Sequence, residues 1–184
     1  VKYTRNLPTS NWYLIASPVV GQDINSFVSN IEGGLETGTK SNNIGLSLRY
    51  NTVTDTWSYL QSGASGTGAF TNGEGHSINL ENASADISFI GAMLTDNLTP
   101  INLTTTGSGY NLIGNPYPSY LNSGSLLTDN SGSLDSQTLW VWDQEDGVYD
   151  TKISSVNFQI APAQGFFVKS DGETGTLAIN ESYQ

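Results

Sequence analysis

The chain has no cysteine, few basic residues and a single histidine. Without cysteine there is no disulfide, no thiol nucleophile and no cysteine-bound zinc. Six lysines and arginines against 17 acids give a net charge of −11, which argues against a nucleic-acid partner because phosphate binding needs clustered bases. An anionic membrane surface is disfavoured for the same reason.

Long apolar runs are also missing. No stretch approaches the roughly 20 apolar residues of a membrane-spanning helix, so we expect no membrane insertion. Charged residues make up only 12% of the chain, and small polar residues replace the lysines and glutamates that normally coat exposed helices. This composition predicts an all-β protein rich in turns.

The sequence contains a set of strand and turn motifs that occurs twice in the same order. "WYLIASP" (12–18) aligns without a gap with "YNLIGNP" (110–116), and "GEGHSINL" (73–80) matches "AQGFFVKS" (163–170). Between the two motifs, each copy has a hairpin signal: "LSLRYNTVTDTWSYL" (46–60) in the first and "TLWVWDQEDGVYDTKI" (138–153) in the second. Their common register pairs Leu48 with Trp140, Tyr50 with Trp142 and Trp57 with Tyr149. We interpret this as an internal duplication, with units near 8–106 and 107–184.

Each unit supplies four or five short strands. Together they predict a single compact module over residues 1–184, an all-β two-sheet sandwich or jelly roll, with a short helical turn possible after the proline of each unit. In "GYNLIGNPYPSYL" (109–121), Gly114 should allow close packing, and the two prolines should end the strand. On the stiff loop that follows, Tyr120 is predicted to cap the core, whereas Tyr117 either caps it or belongs to a recognition surface.

Several of these motifs carry a family resemblance: "NWYLIASPVVGQ", "DISFIGAM", "GYNLIGNPYPSYL", "LWVWDQ" and "IAPAQGFFVKS". The chain resembles a β-module repeated in large secreted proteins of marine and soil Bacteroidetes, which are sorted by type IX secretion and often carry polysaccharide-degrading domains. The resemblance implies a secreted or cell-surface location and a longer, multidomain parent chain. It implies no catalytic residues. We expect the module to be a monomer.

Catalytic arrangements are hard to find in the sequence. His76 occupies the place that Phe166 takes in the other unit, so we interpret it as structural. No nucleophile elbow and no Ser/His/Asp set accompany it. Paired carboxylates could serve a glycosidase, but the acids cluster at a hairpin turn. We therefore predict a non-catalytic protein.

The acidic hairpin turn suggests a metal site instead. "DQEDGVYD" (143–150) crowds four carboxylates into one turn, and hard oxygen ligands suit Ca²⁺. The alternative is a solvated hairpin tip. The predicted calcium ligands are Asp143, Glu145, Asp146 and Asp150.

Carbohydrate binding is the leading functional prediction. Flat aromatic rings stack on sugar faces, while amide, hydroxyl and carboxylate groups bind sugar hydroxyls, and the chain is rich in both. The candidate sugar-binding residues are Trp57, Tyr59, Tyr117 and Tyr149. Trp140 and Trp142 alternate with Leu139 and Val141, which predicts a central strand with core tryptophans.

The expected partner is a plant or algal polysaccharide, to which the module would hold a larger secreted protein. The rival interpretation is a structural or adhesive spacer of a cell-surface protein that binds no small ligand.

Overall fold

The fold is built from antiparallel strands that recur in the same order in the two units. The computed structural model describes residues 1–38, 42–63, 68–173 and 175–184. The described first unit contains β1 (Lys2–Leu7), β2 (Tyr13–Ala16), α1 (Ile24–Ser29), β3 (Asn43–Asn51), β4 (Thr56–Gln61), β5 (Gly75–Ile78) and β6 (Ala85–Ile90). The second contains β7 (Ile101–Asn102), β8 (Tyr110–Gly114), β9 (Leu121–Asn122), α2 (Ser123–Asp129), β10 (Leu134–Asp143), β11 (Val148–Ile153), β12 (Gln159–Ile160), β13 (Gly165–Ser170) and β14 (Thr176–Leu177). The second unit also contains two 3₁₀ turns, Ser154–Val156 between β11 and β12 and Glu181–Tyr183 after β14.

Sheet order shows the duplication directly. The main sheet of the first unit runs β2-β5-β3-β4, and that of the second runs β8-β13-β10-β11, so corresponding strands hold corresponding places. Outer pairs correspond as well, because β1 pairs with β6 and β7 pairs with β14. Since β7 belongs with the second unit, strand pairing places the boundary before Ile101 and not at the predicted 106/107. The protein is all-β and sandwich-like, as the sequence predicted.

The strand register repeats near the hairpin tips, although the first hairpin shifts register between Ser47 and Arg49 and the second pairs regularly. Tyr50 lies opposite Trp57 in the first hairpin, and Trp142 lies opposite Tyr149 in the second. The sequence alignment equates Tyr50 with Trp142 and Trp57 with Tyr149, so these two cross-strand pairs are equivalent. In the same way His76 lies opposite Ile15, as Phe166 lies opposite Ile113.

Both hairpin turns use a side chain to bind their own backbone. Asn51 Oδ1 accepts the N–H groups of Val53 and Thr54, at 3.0 and 3.3 Å. Asp143 does the same for the two residues at its own hairpin tip. Each turn then closes on a residue with positive φ, Asp55 at 51° and Gly147 at 67°, which are residue types that tolerate this conformation.

The two short helices follow equivalent rules. Asp23 accepts the N–H of Ser26 at 2.8 Å, and Asn122 accepts that of Ser125 at 3.0 Å. A side-chain oxygen in this position satisfies a backbone donor that the first helical turn leaves free. The predicted helical turns are thus present. No helix in the described part of the chain is long and apolar enough to cross a membrane.

The main sheets bury both faces. One face of each sheet packs against its own unit's outer strand pair and helix, which forms the first core around Phe27 and Phe89 and the second core around Leu126 and Phe166. The other faces meet each other in a third cluster around Leu14, Leu112 and Phe167, to which partly buried aromatic rings add. The protein is therefore layered, with an aromatic junction in its centre.

Close backbone approach holds the junction together. The N–H of Ala16 donates to the carbonyl of Ala163 at 3.2 Å, and the N–H of Gly114 donates to the carbonyl of Gly73 at 2.9 Å. These two bonds are equivalent under the duplication. A Cβ on Gly114 would lie 1.9 Å from the Cβ of Ala16, so only glycine fits there, as predicted for this position.

Candidate functional site

The aromatic junction opens to solvent as a cleft. We call its larger part pocket A, which has a volume of about 560 Å³. Hairpin β3–β4 lines one side and hairpin β10–β11 the other, while β8 and β13 contribute its base. The lining residues that matter here are Tyr50, Asp55, Trp57, Tyr110, Tyr149 and Phe167.

A second, smaller cavity of about 220 Å³ adjoins pocket A, and we call it pocket B. Trp57 and Tyr149 line both pockets, so these two rings stand between them. Because the alignment equates Trp57 with Tyr149, the pockets lie on either side of the local axis that relates the two units. Their further equivalent lining pairs, with the pocket B residue first, are Trp12/Tyr110, Ser77/Phe167 and Tyr59/Thr151.

Ring geometry follows the same symmetry. Tyr50 and Trp57 have centroids 5.0 Å apart with their planes at 59°, and the equivalent pair, Trp142 and Tyr149, lies 4.9 Å apart at 63°. Tyr50 also meets Phe167 edge-on at 4.9 Å. The rings therefore form a slot between inclined walls instead of one flat platform.

A hydrogen-bonded pair provides the polar edge of pocket A. The hydroxyl of Tyr50 donates to Asp55 Oδ1 at 2.5 Å. Burial of the hydroxyl and, to a smaller extent, this hydrogen bond raise the pKa of Tyr50 to about 12. Hydrogen bonds from Ser108 and Tyr50 lower the pKa of Asp55. The carboxylate stays charged at neutral pH and keeps lone pairs for a hydroxyl donor.

Pocket B has a different polar contact at its back. Trp142 donates its indole N–H to the carbonyl of Trp12 at 2.8 Å, which ties β10 of the second unit to the start of β2 in the first. Trp12 in turn lies 5.7 Å from Tyr59 at 55°. Burial raises the pKa of Tyr59, so its hydroxyl remains a donor over the physiological range.

Three of the four predicted sugar-binding residues meet in this cleft. Trp57 and Tyr149 line both pockets, and Tyr59 lines pocket B. Trp57 and Tyr59 are half-buried, and Tyr149 is 43% exposed. Trp140 and Trp142 were predicted to be core residues, but both are half-buried in the walls of the cleft.

The prediction that Tyr117 binds sugar is wrong. Its ring is 0% exposed, and its hydroxyl lies 2.9 and 3.1 Å from the carbonyls of Asp96 and Ile179. It caps the second core and is not available to a ligand. Tyr120, predicted as the cap, is instead 56% exposed. The loop is stiff as expected, but it turns the first tyrosine inwards and the second outwards.

Sequence reasoning missed part of the lining. Tyr110 and Phe167 lie in the repeated strand motifs and Asp55 in the first hairpin signal, and none of the three was among the predicted binding residues. The alignment holds a signal for Tyr110, because it is the counterpart of Trp12. For Asp55 there was none, since its position beside Tyr50 depends on the left-handed backbone of the turn.

The four acids of the second hairpin do not converge on one point. Asp143 binds the backbone N–H groups of Glu145 and Asp146, at 2.8 and 3.2 Å, and Asp150 lies 3.4 Å from the ammonium of Lys152. Among the described residues no group of three or more acidic or histidine side chains is placed to hold a metal ion. Calcium binding at this turn stays a prediction, and the geometry of the four acids does not support it.

His76 sits in the first core, away from the cleft lining. It is 2% exposed, its Nδ1–H donates to the carbonyl of Ser47 at 3.0 Å, and its ring meets the edge of Phe70. Burial lowers the pKa of His76, so the ring is neutral at pH 7. Its surroundings match the structural interpretation.

No protein-family model, curated protein or solved structure matches the chain. Its function is therefore inferred from the geometry of the cleft.

Proposed function

We propose that the chain is a non-catalytic, extracellular carbohydrate-binding module that holds a larger secreted protein on a polysaccharide. The observation that supports this most is the pair Trp57 and Tyr149, which present partly exposed rings to one cleft from two different units. Aromatic rings offer large apolar faces at low entropic cost, which suits the C–H faces of sugar rings.

The rest of pocket A supports the same ligand class. Its volume lies within the range of about 300–1,000 Å³ that is usual for small-molecule sites. Asp55 and Tyr50 place a carboxylate and a phenol beside the rings, and both can bond hydroxyl groups. A mostly apolar cleft with a few convergent polar groups is the general pattern of such sites.

The spacer interpretation also has an observation in its favour. The cleft rings contact one another across the junction, as Tyr50 and Tyr149 both do with Phe167, at 4.9 and 5.7 Å. Aromatic pairs of this kind stabilise an interface by about 0.5–1.5 kcal/mol each beyond their burial. Rings that only join the units would have no need of a carboxylate at the cleft.

Affinity electrophoresis in gels that contain neutral plant and algal polysaccharides tests the proposal. Laminarin, mannan, xylan and mixed-linkage glucan form the first panel. We expect weak binding, with Kd between micromolar and millimolar, or about −8 to −4 kcal/mol. Retardation by one or more polymers supports the proposal, and migration unaffected by any polymer favours the spacer.

Matched variants locate the site. Tyr149→Ala should abolish retardation. Because the ring also contacts Trp142 and Phe167, the variant should lose about 1–3 kcal/mol of stability, which a thermal melt of the same protein measures. Asp55→Asn keeps a residue type that tolerates positive φ and should weaken binding several-fold, because a charge-assisted bond becomes neutral. Tyr120→Ala, an exposed tyrosine elsewhere, is the control and should bind as wild type does. If Tyr120→Ala binds as poorly as Tyr149→Ala, the cleft is not the site.

A further inference from the structure

Pocket B leads into a third cavity at its far end. This cavity, pocket C, has a volume of about 650 Å³. It shares Trp12 and Tyr59 with pocket B, just as pocket B shares Trp57 and Tyr149 with pocket A. The three pockets therefore adjoin one another in series, and β4 runs alongside them from the Asp55 turn to Tyr59.

Length follows from strand geometry. An extended strand rises about 3.2–3.4 Å per residue, so Thr56 and Tyr59 lie roughly 10 Å apart along β4, and pocket C extends the series further. This is longer than a single sugar ring. An elongated ligand would contact all three pockets, whereas a monosaccharide would fill only one.

Pocket C is more polar than its neighbours. Asn79 lines it and is 9% exposed, and its Oδ1 has no hydrogen-bond partner within the described residues. That oxygen is shielded from solvent, so Asn79 adds polarity to the wall of the cavity and is not an open acceptor. Glu36 and Glu81 line the same cavity and add carboxylate acceptors.

Charge limits the ligand further. Carboxylates line both ends of the series, Asp55 in pocket A and Glu36 and Glu81 in pocket C. Among the described lining residues of the three pockets there is no lysine, arginine or histidine. These carboxylates would repel a sulfated or uronate chain, whereas a neutral chain would meet acceptors for its hydroxyl groups at both ends of the series.

We infer that pockets A, B and C are successive subsites of one groove that binds an internal stretch of a neutral polysaccharide chain. The inference rests on the proposed function and adds the ligand's length and charge to it. Pocket A binds sugars at one end of this stretch, the shared rings bind those in the middle, and pocket C binds a sugar at the other end through its carboxylates.

Calorimetric titration with oligosaccharide ladders tests the groove. The probes are the laminari-, cello- and manno-oligosaccharide series from disaccharide to hexasaccharide. We expect affinity to increase along the ladder that binds and to level off only once pocket C is filled. In the double variant Glu36→Gln/Glu81→Gln, affinity for the hexasaccharide should fall about tenfold, or 1.4 kcal/mol, while that for the disaccharide should not change.

Glu32→Gln, which neutralises an exposed acid elsewhere in the first unit, is the charge control and should leave the whole ladder unchanged. A disaccharide that binds as tightly as the hexasaccharide would overturn the groove while leaving the cleft as a sugar site. So would equal losses at every chain length in the double variant, provided that it melts as wild type does. Absence of binding by every ladder and every polymer would instead overturn the proposed function.

Discussion

Replacement of Tyr117 tests whether this tyrosine is a core residue, as the structure shows, or an exposed residue, as its place on a proline-rich loop would suggest. The ring is fully buried in the second core, and the backbone N–H of Tyr117 donates to Asn115 Oδ1 at 3.0 Å. Truncation of a buried aromatic side chain costs about 3–5 kcal/mol, because it removes transfer free energy and leaves a cavity. Tyr117→Ala should therefore lose about that much free energy of unfolding.

The size of the chain converts this loss into temperature. For domains of 150–250 residues, 1 kcal/mol lowers the melting temperature by about 2–4 °C, so Tyr117→Ala should melt roughly 6–20 °C below wild type. Tyr117→Phe keeps the ring and loses only the hydroxyl, which bonds a carbonyl of Asp96 or Ile179. It should cost about 1 kcal/mol, the usual net worth of one hydrogen bond.

Thermal melts followed by circular dichroism measure both variants. Tyr120→Ala, only three positions along the same loop, is the matched control and should stay within about 0.5 kcal/mol of wild type, as exposed substitutions do. If Tyr117→Ala and Tyr120→Ala melt together, the loop does not turn as described, and the assignment of Tyr117 to the core is wrong.

Three further predictions concern the core, the junction and the second hairpin. The pKa of His76 is lowered in the folded state, so as pH falls below about 6.5 the unfolded chain takes up the proton first and stability falls by up to about 1.4 kcal/mol per pH unit. His76→Phe should remove this slope of stability against pH between pH 7 and 5. An unchanged slope would show that other groups cause it. Gly114→Ala should destabilise by about 1–3 kcal/mol through its clash with Ala16, and the exchanged pair Ala16→Gly/Gly114→Ala should recover most of the loss; no recovery would mean that the clash lies elsewhere. Calcium added to chelator-treated protein should raise the melting temperature if the acids of the second hairpin bind it, and a constant melting temperature would remove that site.

The duplication was readable from the sequence because both units use the same local rules. Turn residues, a glycine-led strand and paired aromatic positions recur at constant spacing, and the strand pairing preserves that register near both hairpin tips. The unit boundary was not readable. It depends on the two-residue strand Ile101–Asn102, whose partner β14 lies more than 70 residues away and leaves no local pattern.

The site was predicted where exposure follows from strand alternation and missed where it follows from packing between units. Trp57 and Tyr149 lie in the hairpin strands β4 and β11, and Trp57 stands between Thr56 and Ser58, so partial exposure could be expected. The inward turn of Tyr117 could not be deduced from prolines, which fix the stiffness of a loop and not its direction. The alignment did contain a hint, because it places Tyr117 on Val19, which is also 0% exposed.

A cleft on the axis between two covalently joined copies has a consequence for how such a protein can change. In a dimer of identical chains every substitution is made twice, so a symmetric cleft must alter on both sides together. Here each wall is encoded separately, and the two pockets already differ, with Ser77 in one where the other has Phe167. Selection can therefore reshape one end of the cleft while the backbone bonds that join the units stay as they are.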